Sequence, residues 1–251
     1  MLMAHLPGRD AATLADYGAS NGLGGLILMG DNIPGSTEEL AAMTAVIAGD
    51  SGLPALVATD QEGGIVRRIS TDEEPSALEL RVLPADAAAE IPQSQLSLRH
   101  WRTEHAPPFA AGIAAGAELV MFGHLQFDAV DPVPATLSAR WHSILRDELD
   151  FEGIIITDDM NMLEDSGRAE YADPVRNAVQ AIVAGNTMLL SAQQVDIPAL
   201  IGSVHAAVDD GTIPMATIDD AARKVLVLRR TVSGDTGRFV HCFEECLAVI
   251  D

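Results

Sequence analysis

The chain has 251 residues, 48% of them hydrophobic and 4% aromatic, which is enough for one sizeable core. Its 37 acidic residues against 15 basic ones give a formal net charge of -22, spread along the sequence rather than gathered in a tail. That balance excludes the clustered Lys and Arg that nucleic-acid phosphates require. No apolar run approaches the roughly 18 residues that read as a membrane-crossing helix, and the opening MLMAHLPGRD lacks the basic and apolar regions of a secretory leader. The expectation is a soluble, cytoplasmic protein with neither nucleic acid nor membrane as partner.

In chain order, MLMAH opens as a candidate strand, followed by GGLILMG at 24–30 and LPALVATD at 53–60. AELVMFGHLQF at 117–127, EGIIITDDM at 152–160 and GNTMLLSA at 185–192 complete a set of six. Continuous apolar runs of this kind suit strands buried on both faces, as in a parallel sheet wrapped by helices. STEELAAMTAVIAGD at 36–50 reads as a helix, with Ser36 or Thr37 to cap its first turn and Glu38 and Glu39 at its positive end. LSARWHSILRDELD at 137–150 and DPVRNAVQAIVAG at 173–185 place apolar residues three and four apart.

This alternation predicts an α/β fold. No G-x-G-x-x-G follows any strand, and polar residues gather just after the strand C-termini, which favours a barrel of the TIM type over an open doubly wound sheet. Residues 70–108 form a long, proline-bearing connection. Residues 1–230 are assigned to the barrel and 231–251 to a C-terminal tail with a short helix. Within the tail, Cys242 and Cys246 have no second pair with which to build a metal site, so a disulfide or buried thiols are expected, and no metal.

Two stretches carry chemistry. In ATDQEGGIVRRI, at 58–69, a buried strand delivers Asp60 and Glu62 to its mouth, and Gly63 and Gly64 let the backbone pass close to a ligand. In GIIITDDMNM, a strand ends in Asp158 and Asp159, where a carboxylate can attack an anomeric carbon and stabilise an oxocarbenium-like transition state. Taken singly, each also reads as loop capping, and the second as metal binding.

Together the two motifs resemble glycoside hydrolase family 3, in particular its β-N-acetylhexosaminidase branch, with D-Q-E-G-G-x-V-x-R followed by [ST]-D-D-x-x-M. The stretch APPFAAGIAAGAELVMFGHLQFDAVDPVPATLS between them is similar to the same branch. The resemblance implies a retaining hydrolase that removes terminal N-acetyl-β-D-glucosamine from cell-wall or chitin-derived glycans through a covalent glycosyl-enzyme. It implies Asp158 as nucleophile, Asp60 and Arg68 as sugar contacts, His124 near the pocket and substrate, and no cofactor.

The chain departs from the family pattern in one large respect. The two βα units that follow the D-Q-E-G-G strand are missing, and DAAAEIP at 86–92 stands where the family has D-S-H-x-x-x-P. Asp86 is kept, but Ala88 replaces the general-acid His, and Ile65 replaces the Arg usual after the Gly pair. A shortened, incomplete or rearranged barrel of about six strands follows, whose unpaired edges would suit a homodimer. His100, Glu104 and His105 are candidates to replace the lost acid. The alternative function is a non-catalytic sugar-binding or partner-binding pseudoenzyme. An unrelated aldolase-type barrel is disfavoured because Lys224 is the only lysine.

Overall fold

The computed structural model describes residues 1–49, 52–63, 66–69 and 91–233. All six expected strands form, as β1 (Leu2–Ala4), β2 (Gly25–Leu28), β3 (Leu56–Thr59), β4 (Leu119–Phe122), β5 (Ile154–Asp159) and β6 (Met188–Ser191). Among the described residues the longer helices include α1 (Ala11–Ser20), α2 (Thr37–Ala48), α3 (Ala106–Ala114), α4 (Ala139–Ser143), α5 (Pro174–Ala184), α6 (Ile197–Asp209) and α7 (Met215–Val232). The last runs two residues past the expected boundary at 230. Cys242 and Cys246 lie outside the described residues.

The strands make one parallel sheet in the order β3-β2-β1-β6-β5-β4. The first strand therefore lies beside the last, with Leu2, Met3 and Ala4 opposite Leu189, Leu190 and Ser191. That is the neighbour relation of a closed (β/α) barrel. Among the described residues the circle is interrupted between β3 and β4, and the result is an open half-barrel. No connection of ordinary length brings β4 back beside β1, because β6 already occupies that place.

Local chemistry sets the helix limits. Ser36 accepts the Glu39 N–H at 3.2 Å to start α2, as its sequence predicts. Asp173 accepts from Val175 and Arg176 ahead of Pro174, which opens α5. Gly185, at φ 122°, then ends that helix in a conformation few side chains tolerate.

Alternate residues of each strand enter separate cores. Ala4, Leu26 and Leu28 pack outward with Leu14 of α1 and Met43 and Ile47 of α2, and Leu189 packs with Ala178 and Ala181 of α5. Met3, Ile27, Ile154, Ile156, Met188 and Leu190 meet one another on the concave face, where Val225 and Leu228 of α7 join them. This one cluster runs from β2 to β5, three steps apart in the sheet, along the inside of its curl.

Helix α7 runs beneath both open edges. Arg229 donates to the carbonyls of Leu53 and Pro54, each at 2.7 Å, at the base of β3. Lys224, Val227 and Leu228 line a cleft of about 360 Å³ with Ala117, Glu118 and Gly153 at the base of β4 and β5.

On the concave face, Met121 pairs in register with Ile156, yet Met121 is 46% exposed and Ile156 only 3%. One barrel position thus has a wall on both sides and its neighbour on one side only. We expect Ile156→Thr to cost about 3 kcal/mol, from lost apolar volume and a buried hydroxyl. Met121→Thr should stay within about 0.5 kcal/mol, as on an ordinary surface. Urea unfolding of the two variants measures the difference, and equal costs would mean that something covers β4.

Candidate active site at the strand mouths

Polar side chains collect where the strands end. After β1, the His5 ring lies 3.4 Å from the Ile27 carbonyl and 3.6 Å from the Asp31 carboxylate. After β2, the fully buried Asn32 accepts from Met29 N–H and donates to the carbonyls of Leu6 and Gly8, tying two loops together. Neither residue stood out in the sequence, because, the Met29 N–H apart, their partners lie more than twenty positions away.

Asp60 follows β3 and faces Arg68 across 3.7 Å, both partly exposed. The structure therefore brings these two expected sugar contacts together. Glu62 belongs to the short strand Gln61–Gly63 that turns back towards Val66–Arg67. Position 65 lies outside the described residues, as do positions 86 and 88.

Asp158 emerges from β5 at an irregularity. Met188 is opposite Ile156, but Leu190 is opposite Asp159, so β5 fits three residues against two of β6. Such a bulge re-aims side chains and interrupts the ladder. The fully buried Thr157 repairs it, its hydroxyl accepting the Leu190 N–H at 2.9 Å. The half-buried Asp158 then receives the Asp159 N–H on Oδ1 at 2.8 Å. Among the described residues nothing donates to its Oδ2, which points towards Gly123, 3.8 Å from where a Cβ would sit there.

The neighbouring carboxylate plays a different part. Asp159 Oδ1 accepts from Asn161 N–H at 3.2 Å and Ala192 N–H at 3.0 Å, clamping β5 to the end of β6. Ser191 donates to Asn161 Oδ1 at 2.6 Å and closes the same corner. Burial pushes the Asp159 carboxyl above its ordinary range, opposed by these two N–H donors.

His124 follows β4 and is only 2% exposed. Its Nε2 lies 2.9 Å from the Asp159 carbonyl and its Nδ1 2.9 Å from the Thr136 hydroxyl, so both ring nitrogens are engaged within the protein. Burial holds its pKa below the usual imidazole value, although the Asp159 carbonyl and the charges of Asp158 and Asp159 pull it upward. Thr136, in the PATLS stretch, is a ring partner that the sequence did not single out.

The chain re-enters the described structure at the mouth. Ile91 is buried against Leu163 and Tyr171, beside the turn that follows Asp158, and Gln93–Ser94 pairs with Gln126–Phe127. His100, Glu104 and His105 are exposed on the helical run from Leu98 that leads into α3, whose Leu98 and Trp101 pack near Trp141.

A family model described as the glycosyl hydrolase family 3 N-terminal domain matches residues 81–228, more than half of the sequence. The chain belongs to this family. Family 3 relatives include a β-hexosaminidase of Stenotrophomonas maltophilia, 46% identical over 67 residues, which are 26% of this chain and 20% of that protein. A β-hexosaminidase of Pseudomonas aeruginosa is 36% identical over 105 residues, covering 41% of this chain and 30% of the relative. The family 3 chain thus aligns with under a third of the length of either.

Among solved structures, a family 3 β-N-acetylglucosaminidase of Paenibacillus superposes with a TM-score of 0.74 at 22% identity, over 96% of this chain and 62% of that one. The β-N-acetylhexosaminidase of Beutenbergia cavernae gives 0.64 at 23% identity, over 91% and 96%. At such identities the likeness establishes the family 3 fold.

The buried imidazoles set a pH dependence. His124 and His142 both have pKa values lowered by burial, so below about pH 6.5 the unfolded chain binds protons that the folded one refuses, and stability falls with pH. Asp159, raised by burial, acts with the opposite sign but in the carboxylate range. We expect the thermal midpoint to drop between pH 7.5 and 5.5 at about 2–4 °C per kcal/mol, and less steeply in His142→Asn. Calorimetry across that interval checks this, and a flat profile for the unaltered protein would contradict it.

Proposed function

We propose that the strand mouth binds a terminal N-acetyl-β-D-glucosaminyl residue and that Asp158 attacks its anomeric carbon, forming a covalent glycosyl-enzyme that water then hydrolyses with net retention. The carrying observation is the Asp158 carboxylate itself, with one oxygen held by a backbone N–H and the other unengaged among the described residues. In the first step a bond forms between Oδ2 and the anomeric carbon, and the bond to the leaving oxygen breaks with its electron pair. Asp60 and Arg68 would hold the sugar hydroxyls. The likeness to β-hexosaminidases supports this choice of substrate.

Ala88 stands where the family's acid would be, so the leaving group departs without the proton which that histidine would supply. Lost acid catalysis costs about 10²- to 10⁴-fold, which restricts useful turnover to substrates whose leaving anion is stable. Neither a metal nor an organic cofactor enters this chemistry. A second reading, favoured by Ala88 and the two missing βα units, is sugar binding without turnover. The exposed Leu119 and Met121 on the β4 edge favour a homodimer that covers them, and a cytoplasmic setting suits the cell-wall fragments such an enzyme would recycle.

Incubation with an activated nitrophenyl N-acetyl-β-glucosaminide should release nitrophenolate and leave a sugar adduct on Asp158 in the mass spectrum, both abolished in Asp158→Asn. Binding of N-acetylglucosamine with neither release nor adduct would establish the second reading. Absence of binding as well would remove both.

A further inference from the structure

We infer that Thr136 is a positioning residue for the Asp158 carboxylate, acting through the buried ring of His124; the catalytic part of this inference rests on the reading of Asp158 as nucleophile. The chain of contacts starts at the Thr136 hydroxyl, 2.9 Å from His124 Nδ1. It passes from His124 Nε2 to the Asp159 carbonyl at 2.9 Å and returns through the Asp159 N–H to Asp158 Oδ1 at 2.8 Å. Four residues from three separate segments are thereby linked by three hydrogen bonds.

Donor and acceptor rules fix the proton in this chain. A carbonyl oxygen only accepts, so the ring must carry its hydrogen on Nε2 to meet Asp159. The neutral ring then offers Nδ1 as an acceptor, and the Thr136 hydroxyl donates to it. That hydroxyl also lies 2.8 Å from the Gly123 carbonyl and 3.0 Å from the Phe122 carbonyl. Its proton therefore chooses Nδ1 only while the ring stays neutral, as burial keeps it.

Thr136 is itself fully buried and held on both sides. Its N–H donates to the Gly123 carbonyl at 3.3 Å, and its carbonyl accepts from Asn186 Nδ2 at 2.8 Å. The hydroxyl is thus a fixed point on the loop after β4, and His124 transmits that position to the end of β5. The consequence at Asp158 is an assignment of oxygens, with Oδ1 occupied by the backbone and Oδ2 presented towards Gly123. Valine at 136 would keep the volume but remove the donor, freeing the ring to carry its hydrogen on Nδ1 and leaving the Asp159 carbonyl without a partner.

The test compares the native protein with Thr136→Val and Thr136→Ser. Ring nitrogen NMR at neutral pH should find the native His124 protonated on Nε2 alone, Thr136→Val a mixture of both tautomers, and Thr136→Ser like the native form. The Asp158 carboxyl carbon resonance should move in Thr136→Val and be restored in Thr136→Ser. With the nitrophenyl substrate, adduct formation at saturation should slow about 10- to 100-fold in Thr136→Val, the cost of a misplaced reacting group, with KM within about twofold and recovery in the serine variant.

A native ring protonated on Nδ1, or an Asp158 resonance indifferent to Thr136→Val, would overturn the inference. If the native protein forms no adduct, the nucleophile assignment fails on its own, and the two resonances still decide whether Thr136 positions the carboxylate. If the valine variant does not fold, a serine variant with an altered ring or carboxyl resonance counts against the inference, since serine keeps the donor.

Discussion

Everything in this molecule hangs on the hydrogen-bonded seam between β1 and β6. Three residues at the start of the chain pair with three near residue 190, and this long-range contact curls the sheet and sets which strands can be neighbours. Once β1 has β2 on one side and β6 on the other, the shortage of strands can appear only between β3 and β4. An open twisted sheet could have hidden its edges elsewhere. A barrel that keeps its seam must open opposite it, and the concave face is left walled on one side.

Helix α7 is the compensation. Val225 and Leu228 fill part of the concave core, and Arg229 grips the carbonyls beneath β3. The opening consequently faces sideways, and the C-terminal ends of the strands keep their common mouth. Asp60 and Asp158 stand four inter-strand steps apart, about 19 Å along a flat sheet at the usual spacing, a separation that the curl shortens. The placement of Asp158 depends less on the missing wall than on the β5–β6 corner, where a bulge, a buried Thr157 and the Asp159 clamp meet.

The strands were legible because each is a continuous apolar run, a pattern that survives without any knowledge of partners. Asp158 and Asp60 were legible because they end such runs inside motifs that resemble a known family. The order of the strands was expected only as an incomplete or rearranged barrel, since pairing between residues 2 and 189 has no local signal. The resemblance puts His124 near the sugar, and in the structure it is 2% exposed with its ring between the Asp159 carbonyl and the Thr136 hydroxyl. Thr136 and Asn32 escaped notice for the same reason: a Thr or Asn in a loop looks like turn chemistry until its distant carbonyl or imidazole is in place. The bulge in β5 was invisible too, because its cause is a mismatch between two strands rather than a feature of either.

The most direct test of the half-barrel is amide hydrogen exchange resolved by residue. Amides of β1 and β6, bonded across the seam and covered on both faces, should exchange only on global unfolding, whereas those of β3 and β4 directed to the open side should exchange within the dead time of the experiment. Protection of the outward β4 amides equal to that of β1 would mean that another strand closes the ring, and the open half-barrel would be the wrong description of this protein.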